Sequence, residues 1–472
     1  MSAEGGMPQA WQAAASWVVR LLVVLFAAWS GSGCERVAHY PINPPLASHA
    51  PDYGHRFENS RVQPGESADV LVVLLISGGG TRAAALAYGA LEALRDTRVV
   101  VAGKEKSLLA EVDYISAVSG GSTVAAYYGL YRDRLFADFA DRFLYRDVQQ
   151  ELKVRLGWNV WRVASPRYGR GDLLADYLNE EVFRGATFRD LARAPQPFVI
   201  ISATDISLGA QFPFSQERFD LLCSDLGEVP VARAVAASMA LPPYFSPITF
   251  WNYAGQCGYV PPPWLKDRPE ADDRTRHDLE EMRSYLDRER RPYIHLFDGG
   301  LVDNLSLRQP MGLVMRRGGL APTLEAFGFR DVKHAVFIAV DAERDPAFDL
   351  DARADVPGPA ATIEALGNVF NLGSFDSSVL VDESVARWRD ELGAARPTDA
   401  PEVKFYLVDA SLRSITDPGE RARFMGIPTT LHLDRKDVDD LRALARRLLM
   451  ASPDFQALLR EIGAGWETAG GR

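Results

Sequence analysis

The stretch VLVVLLISGGGTRAAALAYGALEAL, residues 70–94, decides the fold. Val70 to Ile76 is continuously apolar and rich in β-branched residues, which suits a strand buried on both faces. Three adjacent glycines, Gly78, Gly79 and Gly80, then allow positive φ and a close backbone approach to a ligand. Ala83 to Leu94 is helix-forming. The same grammar recurs downstream: Tyr114 to Val118 reads as a strand, Gly120-Gly121 as a turn and Ser122 to Tyr131 as a helix. Further strands are predicted at Phe198–Thr204, Ile294–Phe297, Ala335–Val340 and Val403–Val408. Strands alternating with helices predict an α/β fold: three layers, a mostly parallel central sheet and helices on both faces.

The chain has 472 residues, 47% of them hydrophobic and 24% charged, enough for a sizeable core. Its net charge of -11 argues against nucleic acid as a partner. It also argues against simple electrostatic attachment to anionic lipid, while contact through apolar surface or a lipid anchor stays open.

Trp17 to Trp29 reads WVVRLLVVLFAAW. The apolar run after Arg20 is shorter than the ~20 residues that span a bilayer, and it suits a signal-peptide core. Gly31, Ser32 and Gly33 precede Cys34, an arrangement that resembles a bacterial lipoprotein signal with Cys34 as the lipidated residue. Gly31 stands where such signals usually carry leucine. Residues 1–33 are therefore expected to be a signal peptide, the alternative being an anchoring apolar helix that stays attached. The expected location is the cell envelope, either membrane-anchored or periplasmic. Residues 34–68, rich in Pro, Ser, Asn and His, read as an extended tether, with order beginning at Asp69. Cys223 and Cys257 read as two buried thiols, although an oxidising compartment would permit them to pair. No CxxC or HExxH spacing suggests a metal site.

Read alone, Ser77–Arg82 supports three functions. It fits the dinucleotide pattern G-x-G-x-x-A through Gly78, Gly80 and Ala83, but the acidic residue expected about 20 positions on is absent around RVVVAGKEK. It also fits an oxyanion-binding loop or a purely structural turn. Ala117-Val118-Ser119-Gly120-Gly121 lies between a strand and a helix, as a nucleophile elbow does, because small neighbours permit the sharp turn and expose Oγ. Asp298-Gly299-Gly300 follows the strand IHLF, where sites of open α/β sheets lie.

In this order and strand context, the motifs resemble those of the patatin-like phospholipase family. That family has a G-G-G-x-R loop, here Gly78 to Arg82, a G-x-S-x-G elbow, here Ala117 to Gly121, and a D-G-G/A motif, here Asp298 to Gly300. Ala234 to Pro247, AVAASMALPPYFSP, resembles a fourth block. Ala117 replaces the elbow's first glycine, and Ala83 stands where many members have another.

The resemblance implies a serine–aspartate dyad, with Ser119 as nucleophile and Asp298 taking its proton. Gly78, Gly79, Gly80 and Arg82 would stabilise the oxyanion, unless Arg82 instead anchors the loop through a structural carboxylate. It implies no metal and no organic cofactor. The implied substrate is a phospholipid or lysophospholipid met at a membrane surface. A non-lipid esterase or thioesterase, and a nucleotide-binding interaction protein, remain alternatives. A Ser–His–Asp triad is disfavoured, because His295 should face away from Asp298 and His432 sits in TLHLD, read as a strand edge. The catalytic domain is expected over 69–345, with a charged helical excursion at about 260–292 that is either a solvated surface helix or a cap. An α/β extension should follow over 346–472, ending in one or two amphipathic helices within Asp437–Ile462.

Overall fold

Val70–Ile76 forms strand β1, and all seven residues are buried. The computed structural model describes residues 43–60, 68–193, 196–265, 273–344 and 402–464, with isolated positions between 354 and 392. The remaining strands are β2 (Arg98–Val101), β3 (Lys104–Ser107), β4 (Val112–Val118), β5 (Phe198–Asp205), β6 (Ala210–Pro213), β7 (Ile248–Trp251), β8 (Tyr293–Phe297), β9 (His334–Val340) and β10 (Lys404–Asp409). The central sheet has the order β10-β9-β1-β4-β5-β8-β7, with β6 also paired to β5. From β10 through β5 every pairing is parallel, and β6, β7 and β8 add antiparallel pairings at the other end.

The unbroken apolar run of β1 has a direct cause. Val70, Val72, Leu74 and Ile76 point into one hydrophobic cluster, and Leu71, Val73 and Leu75 into a second on the opposite face. A strand's side chains alternate between faces, so a strand covered on both must be apolar at every position. The first face carries α1 (Gly80–Asp96), α2 (Ser119–Tyr131), α6 (Val231–Ser238) and α8 (Arg435–Ala451). Between α2 and α6 lie α3 (Val148–Trp158), α4 (Val160–Val163) and α5 (Arg170–Tyr177); α7 is Asp273–Ser284, and α9 is Pro453–Ile462. The second face is covered by the helices Arg308–Arg316 and Leu320–Phe327. The fold is thus an α/β sandwich around a mixed, mostly parallel sheet.

Four expectations change. The tether is no free linker over 43–60. Leu46 N–H donates to the Cys223 carbonyl and His49 N–H to the Cys257 carbonyl, each at 2.8 Å. His55 is buried, stacked on Phe198, with Nε2 2.8 Å from the Val199 carbonyl oxygen. This strap forms little regular structure, and isolated anchoring side chains leave no periodic signal. Cys223 and Cys257 form a disulfide instead of two thiols. The excursion is no fully solvated helix, and among the described residues nothing from 260–292 lines the cavity above Ser119. Leu279, Met282 and Tyr285 instead bury one side of α7 and its C-terminal turn in the core. TLHLD is irregular backbone before α8, with His432 exposed. The apolar run at 17–29 and Cys34 lie outside the described residues; among those described, no helix is long and apolar enough to cross a membrane.

Candidate active site

Sheet register brings the three motifs together. β1 and β4 are parallel neighbours, with Ile76 opposite Ala117, so the glycine loop and the serine turn leave the sheet side by side. Val118 pairs with Ser202 of β5, and antiparallel β8 places Phe297 opposite Thr204. The next residue of each strand, Ser119 and Asp298, therefore reaches the level of Ala203 from opposite sides.

Ser119 has φ of 50°. Side chains rarely adopt that conformation, and the surroundings enforce it. Ser119 N–H donates to Ser238 Oγ at 2.7 Å, and Ser238 Oγ donates to the Ser202 carbonyl at 2.6 Å. A Cβ on Gly121 would sit 2.5 Å from the Ser77 carbonyl oxygen, and one on Gly120 would run into the Gly80 carbonyl. Both glycines are thus required by contact. Ala117 is fully buried in the cluster under α1 and α2, where its methyl is accommodated. Ser238 lies within the small-residue block AVAASMALPP, but nothing in that block marked the serine as the support of the elbow.

Ser119 Oγ donates to Asp298 Oδ2 at 2.9 Å, and Gly300 N–H donates to Asp298 Oδ1 at 2.9 Å. Burial pushes the Asp298 carboxyl up to about 7, against the two hydrogen bonds that favour its ionised form. A carboxylate with that affinity can accept a proton near neutral pH, which an ordinary aspartate does poorly. Among the described residues no histidine hydrogen-bonds to Ser119 or Asp298.

The glycine loop divides its work. Gly78 N–H donates to the Asn304 carbonyl at 3.1 Å and is already engaged. Gly79 and Gly80 have φ of 138° and 60°, and their N–H groups meet no acceptor among the described residues. Among the described residues Arg82 makes no hydrogen bond to Ser119 or Asp298. Its Nε donates to the Ala342 carbonyl at 2.9 Å and its Nη1 to the Ile427 carbonyl. It anchors the loop as the second reading expected, but through backbone carbonyls instead of a carboxylate. Burial lowers its guanidinium to about 9, with Arg344 acting the same way and Asp341 opposing. Thr81 N–H donates to the Thr430 carbonyl at 2.9 Å, and that carbonyl crowds Gly80.

Above Ser119 and Asp298 lies a cavity of about 510 Å³. Its apolar wall is Leu152 and Leu156 from α3, Leu173 from α5, and Met239, Leu241, Phe245 and Leu431. Gly80, Gln149, Lys153, Arg170, Tyr244, Thr429 and Thr430 complete it. Ser119 and Asp298 are only 7% and 6% exposed, so a reacting group must enter this cavity to reach them. Among the described residues no cluster of His, Cys, Asp and Glu could hold a metal ion.

The sequence model of the patatin-like phospholipase family matches residues 74–311, half of the chain. The chain belongs to that family. Its patatin-like segment runs from the glycine loop through the serine elbow to Asp298 and beyond. No curated protein matches the sequence. Among solved structures, human GIVD cytosolic phospholipase A2 is similar at 13% identity and a TM-score of 0.40, over 85% of this chain and 64% of that one. The same human enzyme in complex with methyl gamma-linolenyl fluorophosphonate aligns at 14% identity and a TM-score of 0.37, over 83% and 59%. VipD from Legionella pneumophila aligns at 10% identity and a TM-score of 0.24, over 86% and 70%. The patatin-like chain thus spans under two thirds of the length of the human structures.

Proposed function

We propose that this member of a lipid acyl hydrolase family cleaves ester bonds of phospholipids or lysophospholipids with Ser119 and Asp298. The observation that carries the reading is the 2.9 Å hydrogen bond from Ser119 Oγ to a buried, basic carboxylate at the floor of an apolar cavity. As Oγ bonds to the ester carbonyl carbon, its proton passes to Asp298 Oδ2 and the carbonyl oxygen becomes an oxyanion. The N–H groups of Gly79 and Gly80, together with the N-terminus of α2, are the donors we assign to that oxyanion. Collapse breaks the bond to the leaving alcohol, which takes the proton from Asp298. Water then attacks acyl-Ser119, giving a proton to Asp298, and release of the fatty acid returns it to Oγ. Lys153 and Arg170 supply positive charge at an otherwise apolar cavity, which favours an anionic headgroup beside an acyl chain.

The test is fluorophosphonate labelling of the full chain. Label on Ser119 should vanish in Ser119→Ala and fall about 10³-fold in rate in Asp298→Asn. A folded wild type that takes no label even with detergent or phospholipid present would sink the reading.

We further propose that the protein is exported and acylated at Cys34. The Cys223–Cys257 disulfide supports an oxidising compartment. Palmitate incorporation that persists in Cys34→Ser would overturn the acylation.

A further inference from the structure

Ten large apolar side chains are strongly exposed among the described residues, and four of them fall within 154–161: Val154, Trp158, Val160 and Trp161. Exposure this concentrated marks a contact surface, whereas single exposed apolar residues need no explanation. Trp158 is 85% exposed and Trp161 77% exposed. The opposite side of the same helix carries Leu152 and Leu156, which wall the cavity above Ser119. Helical spacing makes this division: 152 and 156 share one stripe, and 154 and 158 another. Val154 and Trp158 therefore lie on the outer side of the cavity's own wall, and Val160 and Trp161 follow on α4.

Its charge is opposite to that of the chain. Between 149 and 170 stand Lys153, Arg155, Arg162, Arg167 and Arg170 against Glu151 alone, in a protein of net charge -11. Arg155 is paired with Glu180 and Glu181, and Arg162 lies 3.7 Å from Asp176. Arg167 adds exposed positive charge after the patch, and Lys153 and Arg170 are exposed where they line the cavity next to it. Tryptophan has an apolar body and one N–H donor, which suits the headgroup level of a bilayer. Basic residues flanking it suit anionic lipid.

We propose that α3 and α4 form a membrane-docking surface, with Trp158 and Trp161 inserted at the headgroup level of an anionic bilayer. Docking there brings α3, one wall of the cavity, against the lipid from which a substrate acyl chain is drawn. The inference rests on the acyl-hydrolase reading for its purpose, but its contact with lipid is measured separately.

The experiment compares the full chain with Trp158→Ala/Trp161→Ala, each also carrying Ser119→Ala and Cys34→Ser to prevent hydrolysis and acylation. The probe is vesicles of brominated phosphatidylcholine, with and without phosphatidylglycerol. The two tryptophans should contribute a quenched component that the double variant lacks, stronger with phosphatidylglycerol and weakened by salt. This difference reads the patch even where the N-terminal apolar run holds both proteins on the vesicle. With Ser119 intact, the double variant should hydrolyse mixed vesicles about tenfold or more slowly, since each large side chain withdrawn from lipid is worth about a factor of ten. Its rate on a monomeric short-chain ester should stay within about twofold of wild type. Equal loss on both substrates would make α3 a mere support of the cavity and overturn the proposal. Equal quenching in both proteins would also overturn it, and concentration-dependent dimerisation lost in the variant would assign the patch to a second copy. A wild type quenched through this patch but inactive on both substrates would sink the hydrolase reading and leave the docking surface standing.

Discussion

β1–α1 and β4–α2 are built alike and used differently. Each is a buried strand, a glycine turn and a helix, and the two stand side by side in the sheet. The first turn of α1 is fastened by protein, with the Asn304, Thr430, Ala342 and Ile427 carbonyls around its loop and Arg82, while Gly80 still lines the cavity. The first turn of α2 carries a serine held at positive φ over an open cavity. The same local geometry thus serves once as a fastened loop with two N–H groups free among the described residues and once as the carrier of the candidate nucleophile. What separates the two is the company that distant segments keep with each turn.

The sharpest way to break the comparison is at the contact between the turns. A methyl on Gly120 would strike the Gly80 carbonyl. Gly120→Ala should displace the glycine loop from the serine and lower fluorophosphonate labelling about 10²-fold or more. Labelling at the wild-type rate would show that the turns work independently.

Arg82→Ala probes the scaffold side. It leaves the Ala342 and Ile427 carbonyls buried and unpaired, so denaturant unfolding should report a loss of about 2–3 kcal/mol. A change within about 0.5 kcal/mol would mean that the fastening is dispensable.

Asp298 probes the other side through pH. Its carboxyl is raised in the folded state, to about 7. The base is lost on protonation, so kcat/KM should fall about tenfold per pH unit below pH 7. Stability runs the opposite way. The folded state holds this proton more tightly, so the fold loses stability as pH rises from about 4 to 7. Asp298→Asn should therefore stabilise the protein by about 1–3 kcal/mol at pH 8 and by almost nothing below pH 4. Melting curves at the two pH values check the sign.

The smallest effect is expected at Ala117, whose methyl fills a well-packed site. Ala117→Gly should cost less than about 1 kcal/mol and leave the rate within about threefold. A rate increase beyond that would make the alanine a brake on the elbow.

Much of this architecture was legible, because it follows from local rules. A strand buried on both faces must be apolar throughout, so β1, β4 and β5 stand out. Glycine turns at strand ends marked Ser119 and Asp298, but only the resemblance to the patatin-like family paired them as a candidate dyad. The direction of Arg82 was not legible, because its acceptors lie 260 and 345 residues away and are backbone atoms that carry no side-chain signature. The strap at 43–60 escaped for a related reason: Leu46, His55 and Phe57 anchor it one at a time, without period. The disulfide joins cysteines 34 residues apart, and only the tertiary fold brings them together. Thr430, which covers Gly80, lies in a segment with no motif at all.

β1 is bordered on one side by β4 and on the other by β9, which in turn pairs with β10. The family match ends at residue 311, before either of these last two strands begins. A fragment ending there would present β1 as an open edge of seven apolar residues and strip α8 from α1, where Gly89 allows the helices to touch. The segment that carries the candidate dyad therefore depends on the chain beyond it for a closed sheet. Recombination at its borders would transfer the candidate dyad and leave behind β9, β10 and α8, which flank β1 and α1.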